Sequence, residues 1–237
     1  MEDIMKFYES YDEEGRLFRD KAHIVEYLVT IRYFDHLFKP GSRILDACAG
    51  AGRYSFYLAN KGYIVTACDL VEHNVNIIKS NSKANKLDDI LVCNALDLSR
   101  FDENIYDIVL CMGALYHVNS DDLKEKVISE SVRVCKSGGI VVFSYLSANK
   151  SEYVKPIPPR EIKNIFFSSE PCEIEDMAIK FGLEKMHHIS MRSSSHFEDN
   201  INELSDDDFK KYMEHRYLTC EDEGAAGDVA LWIGKKS

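Results

Sequence analysis

The chain has 237 residues, 45% hydrophobic and 29% charged, values that suit one globular domain with ample core. Its 29 basic and 40 acidic residues leave a net charge of −11, which disfavours a nucleic-acid partner, because such affinity comes mainly from Lys and Arg neutralising phosphates. The longest apolar run, about Ile108 to Tyr116, falls far short of the ~20 residues of a membrane span, and Met1-Glu-Asp-Ile-Met-Lys lacks the basic-then-apolar order of a signal peptide.

In chain order, residues 3–37 read as helical, with Phe7, Tyr8, Tyr11, Leu17, Ile24, Leu28 and Ile31 at mixed three- and four-residue spacing, closed by Pro40-Gly41. Strand one is Arg43–Ala47, and a helix follows from about Gly52 to Lys61, capped by Gly62. Tyr63–Cys68 is strand two with Asp69 at its tip, Val71–Asn85 a helix, and Ile90–Cys93 a short strand. Tyr106–Met112 is a near-continuous apolar run, as a parallel strand buried on both faces should be. Asp121–Cys135 is a helix with Lys136-Ser-Gly-Gly as its glycine cap, and Ile140–Leu146 is strand five. A connection holding Pro156, Pro158 and Pro159 leads to a helix over Glu173–Phe181, capped by Gly182, and a strand over Leu183–Ser190. An acidic, strand-poor stretch spans 191–228, and Val229-Ala-Leu-Trp-Ile-Gly-Lys-Lys is a good last strand. Strands alternating with helices imply a doubly wound parallel sheet with its sites at the strands' carboxyl ends. Seven cysteines without a C-x-x-C pair, several inside predicted core strands, read as small buried hydrophobes in a reducing cytoplasm.

The most informative segment is Ile44-Leu-Asp-Ala-Cys-Ala-Gly-Ala-Gly-Arg-Tyr54, with Asp69 lying 23 positions after Asp46. An apolar strand ends in a carboxylate, then a glycine turn, then a helix, and a second carboxylate ends the next strand. Gly50 and Gly52 allow a tight turn and close approach of a ligand, and a carboxylate about 20 residues on suits a ribose diol. The segment therefore reads as a nucleoside site. A dinucleotide fingerprint would need Gly or Ala where Ser55 stands, and Asp46 would oppose a pyrophosphate. A carboxylate there suits a ligand carrying positive charge.

This pattern resembles motif I of class I S-adenosylmethionine-dependent methyltransferases, with Cys48 in place of the usual first glycine. Further segments extend the resemblance: Tyr8…Tyr11-x-Glu13-Glu14-x-Arg16-Leu17, Glu26-Tyr-Leu-Val-Thr30, Gly113-Ala-Leu-Tyr-His, and Gly227…Leu231-Trp-Ile-Gly-Lys235 are similar to a bacterial group of small-molecule methyltransferases. The resemblance implies a Rossmann-like, seven-stranded mixed sheet with an antiparallel last strand, a helical N-terminal lid and a cap insert between strands six and seven. It implies one domain over 1–237, with residues 1–40 as lid, 41–147 as the cofactor half, and 148–237 as the substrate half carrying the insert 191–228. It assigns S-adenosylmethionine to Asp46, Ala47, Cys48, Gly50, Gly52, Arg53, Asp69, Leu70, Asn94, Ala95, Leu96, Met112 and Gly113. Asp97 competes with Asn94 for the adenine amino group, and Lys136-Ser-Gly-Gly resembles a turn that marks strand five. Tyr116 and His117 would face the substrate, and Tyr8, Tyr11 and Arg16 would be lid residues. The Asn-Pro-Pro-Tyr motif of methyltransferases acting on adenine or glutamine is absent.

Methyl transfer from a sulfonium to N, O or S is an in-line displacement on an activated donor, so the protein mainly positions the acceptor and excludes water. A phenol or ammonium acceptor also needs a base, and His117 is the best placed. His187, His188, His196 and His215 suit surface or core roles, and His187 and His188, adjacent on a strand, cannot face one site. Asp206-Asp207-Asp208 and Glu221-Asp222-Glu223 would attract a cationic amine, although such runs usually form solvated faces. The expected protein is a cytoplasmic methyltransferase of small molecules, monomeric or homodimeric, without metal, nucleic-acid or membrane partners. A non-catalytic cofactor-binding sensor or partner subunit is the alternative; a nicotinamide oxidoreductase is disfavoured by Asp46 and Ser55, and a thiol or arsenic methyltransferase by cysteines set in core strands.

Overall fold

The computed structural model describes residues 1–148, 165–192, 198–221 and 229–237. The three prolines of the connection, His196, Asp222, Glu223 and Gly227 lie outside the described residues. The N-terminal segment forms α1 (Glu2–Ser10), a 3₁₀ turn (Arg16–Phe18) and α2 (Lys21–Leu37). The alternating half follows as β1 (Arg43–Asp46), α3 (Arg53–Asn60), β2 (Ile64–Asp69), α4 (Glu72–Ser80), β3 (Asp89–Val92), β4 (Tyr106–Met112), α5 (Asp121–Val134) and β5 (Cys135–Ser147). The remainder is β6 (Ser168–Ser169), α6 (Pro171–Lys180), β7 (Leu183–Ser190), α7 (Glu198–Glu203), α8 (Asp206–Thr219) and β8 (Val229–Lys236).

The sheet runs β3-β2-β1-β4-β5-β8-β7, with the two-residue β6 beside β5. The first five strands are parallel, and β8 is antiparallel to both β5 and β7. The seven expected strands are present and only β6 was not foreseen. Ile44, Leu45, Val109, Leu110, Phe143 and Trp232 are fully buried, and helices cover both faces of the central strands. Chain order reverses between β1 and β4, which opens a crevice at their carboxyl ends.

Three local expectations are corrected. The stretch 3–37 is not helical throughout but breaks between α1 and α2, because Asp12 accepts from the Gly15 N–H (2.9 Å) to form a turn and Asp20 caps α2 through the His23 N–H (3.0 Å). That break carries Glu13 and Arg16 over the crevice. Lys136-Ser-Gly-Gly does not end a helix: α5 stops at Val134 and the four residues already belong to β5. A Cβ on Gly139 would come within 2.8 Å of the Asp107 carbonyl oxygen, so glycine permits the close approach to β4. Cys68 and Cys93, expected as separate buried thiols, are joined by a disulfide. The β2–β3 register, which pairs Asp69 with Val92, leaves the Cα atoms of Cys68 and Cys93 5.7 Å apart, inside the range a disulfide spans.

The insert between β7 and β8 contains α7 and α8, and the Ala22 N–H at the start of α2 donates to Asn202 of α7 (3.0 Å). None of the described insert residues lines the crevice, which the N-terminal segment covers. His187 and His188 do face different partners: His187 meets Glu221 (2.9 Å), whereas His188 meets the Tyr145 hydroxyl (2.6 Å). Neither reaches the crevice, nor does His215. No helix of the described residues is long and apolar enough to cross a membrane.

Candidate active site

The crevice holds a cavity of about 120 Å³ whose floor is the row of strand ends and whose roof is α1 and the 3₁₀ turn. Of the thirteen positions assigned to a cofactor, Ala47, Cys48, Gly50, Arg53, Asp69, Leu70, Asn94, Ala95, Leu96, Met112 and Gly113 line it. So do Tyr116, His117, Tyr8 and Arg16, whereas Asp46, Gly52 and Tyr11 do not.

Gly50 sits at φ +52°, a backbone state that only glycine adopts without cost, and its N–H donates to Asp69 Oδ2 (2.8 Å). A Cβ there would lie 3.0 Å from Glu13 Oε1, so the roof closes directly onto the glycine loop. Gly113 explains the departure at Cys48: a Cβ on residue 113 would stand 3.2 Å from the Cys48 Cβ. The larger side chain at 48 is accommodated by the missing one at 113. Gly52 plays no part at the cavity and serves instead as the left-handed start of α3, at φ +80°.

Asp46 is corrected outright. As the last residue of β1 it points away from the cavity, 2% exposed, and accepts from Ser55 Oγ (2.6 Å). Burial, aided by nearby Asp69 and opposed by the Ser55 bond, pushes its carboxyl up to about 7. Asp69 does face the cavity, gathering N–H donors from Gly50, Val71 (2.9 Å) and the Asn74 amide (3.1 Å). Burial raises its pKa against the pull of those three donors. Asn74 was missed by the sequence reasoning. It is 2% exposed, lines the cavity, and its Oδ1 has no hydrogen-bond partner among the described residues. The only signal available was a polar residue in the first turn of the helix after Asp69.

Asn94 is the member of the Asn94/Asp97 pair that lines the cavity; Asp97 is exposed and accepts from the Ser99 N–H. The Asn94 carbonyl already accepts from the Leu96 N–H (3.0 Å), which leaves it one lone pair. At the opposite end, Arg16 donates from Nε to Glu13 (3.1 Å) and from Nη1 to Glu26 (3.1 and 3.3 Å). Burial opposes ionisation of Glu26, yet Arg16 and Arg192 hold its carboxyl below the usual range. Burial raises Glu13, with Arg16 pulling the other way.

His117 occupies the third wall, in the loop after β4. Its Nδ1 stands 2.6 Å from the Ile165 carbonyl oxygen, an acceptor only, so Nδ1 carries the proton. Burial pushes the ring pKa down to about 4, against the Ile165 bond, so at neutral pH Nε2 is an acceptor, and the Tyr8 hydroxyl donates to it (3.1 Å). No sequence signal pointed to Ile165, which lies 48 residues away.

The residues fit S-adenosylmethionine on the structure's own terms. An orphaned buried acceptor beside a carboxylate suits a pair of sugar hydroxyls, and the glycine loop is a cradle that a side chain would fill. Comparison with known proteins agrees. Residues 45–143 match the model of a methyltransferase domain. A ubiquinone biosynthesis O-methyltransferase of Coxiella burnetii is 25% identical over 189 residues, covering 76% of each chain. In fold, the chain is similar to magnesium protoporphyrin IX methyltransferase of Synechocystis, solved with bound SAH (TM-score 0.66, 14% identity, 99% of this chain and 98% of that one). A SAM-dependent methyltransferase of Aquifex aeolicus gives a TM-score of 0.61 at 15% identity, covering 98% of each. Domain match, architecture and the donor set around the crevice therefore converge: residues 45–143 match a methyltransferase domain, and the whole chain shares the fold of solved methyltransferases.

Proposed function

We propose that this enzyme methylates the hydroxyl of an uncharged, largely apolar small molecule, with His117 as proton acceptor. The carrying observation is the fixed tautomer of His117: Nδ1–H is held by the Ile165 carbonyl and Nε2 presents its lone pair to a hydroxyl at the cavity wall. In the structure that hydroxyl belongs to Tyr8, and an acceptor O–H takes its place. Oxygen as the acceptor atom is also what the name of the Coxiella relative states for that protein. The cofactor supplies a methyl group already activated by a sulfonium. With a pKa near 4, His117 is a weak base, so it receives the proton as the attacking oxygen gains positive character and its O–H turns strongly acidic. Tyr8 and α1 exclude water, and holding acceptor and donor in register is worth roughly 7–11 kcal/mol.

For the cofactor, Asp69 and Asn74 together take the two ribose hydroxyls, and Asn94, Ala95 and Leu96 flank the adenine. Glu13 and Arg16, of opposite charge and side by side, suit the ammonium and carboxylate of the methionine end, while Cys48, Met112 and Gly113 floor its chain. The domain works as one unit, with 1–40 as lid, 41–147 as cofactor half and 148–237 as substrate half. The protein works as a cytoplasmic monomer or homodimer without a membrane partner, and its net charge of −11 disfavours nucleic acid as a partner. His117→Ala tests the reading: with a phenolic acceptor, kcat falls about 10²-fold or more, while S-adenosylhomocysteine affinity stays within roughly twofold. Unchanged turnover, or equal loss of both quantities, removes His117 from the chemistry.

A further inference from the structure

Among the described residues, α1 makes one side-chain hydrogen bond to the rest of the protein, from the Tyr8 hydroxyl to His117 Nε2 (3.1 Å). Its other two, Lys6 to Glu2 and Ser10 to the Phe7 carbonyl, stay within the helix. Nine residues without a side-chain N-cap are marginal as a helix alone, so packing over the crevice holds them in place. The Tyr8 ring meets the His117 ring edge-on, with centroids 5.6 Å apart. His117 is itself set among rings: Tyr116 lies 4.7 Å and Phe166 4.8 Å from it, and those two stack on each other at 5.9 Å. Burial, with Tyr116 and Glu13 adding to it and Arg16 opposing, holds the Tyr8 phenol well above its ordinary pKa, so it stays a donor.

We propose that the acceptor is a phenol and that Tyr8 is its internal competitor, holding the acceptor position at His117 until the substrate phenol displaces it. This deepens the hydroxyl-methylation reading above and rests on it. In the transfer, the substrate's phenol oxygen attacks the methyl carbon. The O–CH3 bond forms as the S–CH3 bond breaks, the electron pair of that bond goes to sulfur, and the phenol proton passes to His117 Nε2 and then to water.

Three observations select a phenol from other hydroxyl compounds. The position facing His117 already holds one, in hydrogen-bond contact. The neighbouring rings favour an aromatic guest, because edge-to-face contacts add to the burial of apolar area. His117, with a pKa pushed down to about 4, is a weak base. A phenol, with a pKa of about 10, yields its proton to such a base far more readily than an aliphatic alcohol does. Occupancy by Tyr8 then sets a threshold: if its hydroxyl leaves His117 about one time in ten, a substrate binds about tenfold more weakly than the open site allows.

The test uses the full chain and probes of one shape: p-cresol, the free form of the Tyr8 side chain, beside toluene, 4-methylcyclohexanol and p-toluidine. Calorimetry without cofactor should show p-cresol binding Tyr8→Ala at least tenfold more tightly than the natural protein. Toluene should bind that variant at least tenfold more weakly than p-cresol does, and adding His117→Ala should abolish the difference. In nitrogen NMR, p-cresol should return the His117 Nε2 resonance of Tyr8→Ala toward its position in the natural protein. With S-adenosylmethionine, Tyr8→Ala should convert p-cresol to 4-methylanisole at a KM at least tenfold below that of the natural protein. If the alanine variant does not fold, Tyr8→Phe keeps the ring and its packing, loses only the bond, and should bind p-cresol about threefold more tightly than the natural protein. Equal p-cresol affinity with and without the Tyr8 hydroxyl, toluene bound as tightly as p-cresol, or p-cresol bound but not methylated would each overturn the proposal. Methylation of 4-methylcyclohexanol as fast as p-cresol removes the phenol while the hydroxyl reading stands; methylation of p-toluidine alone overturns the hydroxyl reading beneath it.

Discussion

Replacing Asn74 by alanine separates two effects that act in opposite directions in the free protein. Its Nδ2 donates to the Asp69 carboxylate at 3.1 Å, and losing a bond to a charged acceptor costs about 1.5–3 kcal/mol. Its Oδ1 is buried without a partner among the described residues, and removing an unsatisfied buried carbonyl returns about 1–3 kcal/mol. The two nearly offset, so folding stability measured by denaturant titration should fall by no more than about 2 kcal/mol. Binding is different. With the cofactor in place Oδ1 gains a ribose hydroxyl, a bond that contributes about 0.5–1.5 kcal/mol, and Asp69 loses the donor that holds it in position. The Kd for S-adenosylhomocysteine should therefore rise roughly three- to tenfold. Calorimetry and denaturation on the same preparation give both numbers. An unchanged Kd together with a stability loss above about 3 kcal/mol would make Asn74 a plain core residue and refute the argument.

Two further variants probe the glycine loop and its neighbour. Asp46→Asn keeps an acceptor for Ser55 but removes a group that titrates near 7 in the folded chain and near 3.8 when unfolded. Between those values the folded state holds a proton that the unfolded state has released, so the natural protein loses stability as pH rises through this window. The variant should gain on it by up to about 4 kcal/mol between pH 4 and 8; a difference that does not vary with pH would show that the burial of Asp46 carries no such cost. Gly50→Ala forces a side chain into a positive φ and to within 3.0 Å of Glu13, and should cost about 1–3 kcal/mol of stability and weaken cofactor binding. A variant unchanged in melting temperature and affinity would mean that the roof does not seat on the loop.

What the sequence by itself determined is the set of properties written into consecutive residues. The apolar run of β4 and the terminal Val229–Lys236 strand have the bounds expected of them, because Ile108–Met112 and Val229–Ile233 are unbroken apolar runs that fix the strands in the core. Asp69, Gly113 and His117 were legible for a related reason: each ends or follows a strand, and in a doubly wound sheet that position alone brings a residue to the crevice. Only the tertiary structure decided which way a side chain turns and what meets it from a distant part of the chain. Asp46 ends a strand as Asp69 does, yet the pleat turns it toward Ser55 and away from the ligand side. Glu13 and Arg16 reach the crevice because a ten-residue break opens between α1 and α2 where the apolar spacing suggested continuous helix. Ile165 sets the tautomer of His117 across 48 residues, and Cys93 meets Cys68 across 25. Local pattern reports periodicity and chain reversals, which are short-range; juxtaposition across the sheet follows from register and packing, which no window of sequence contains.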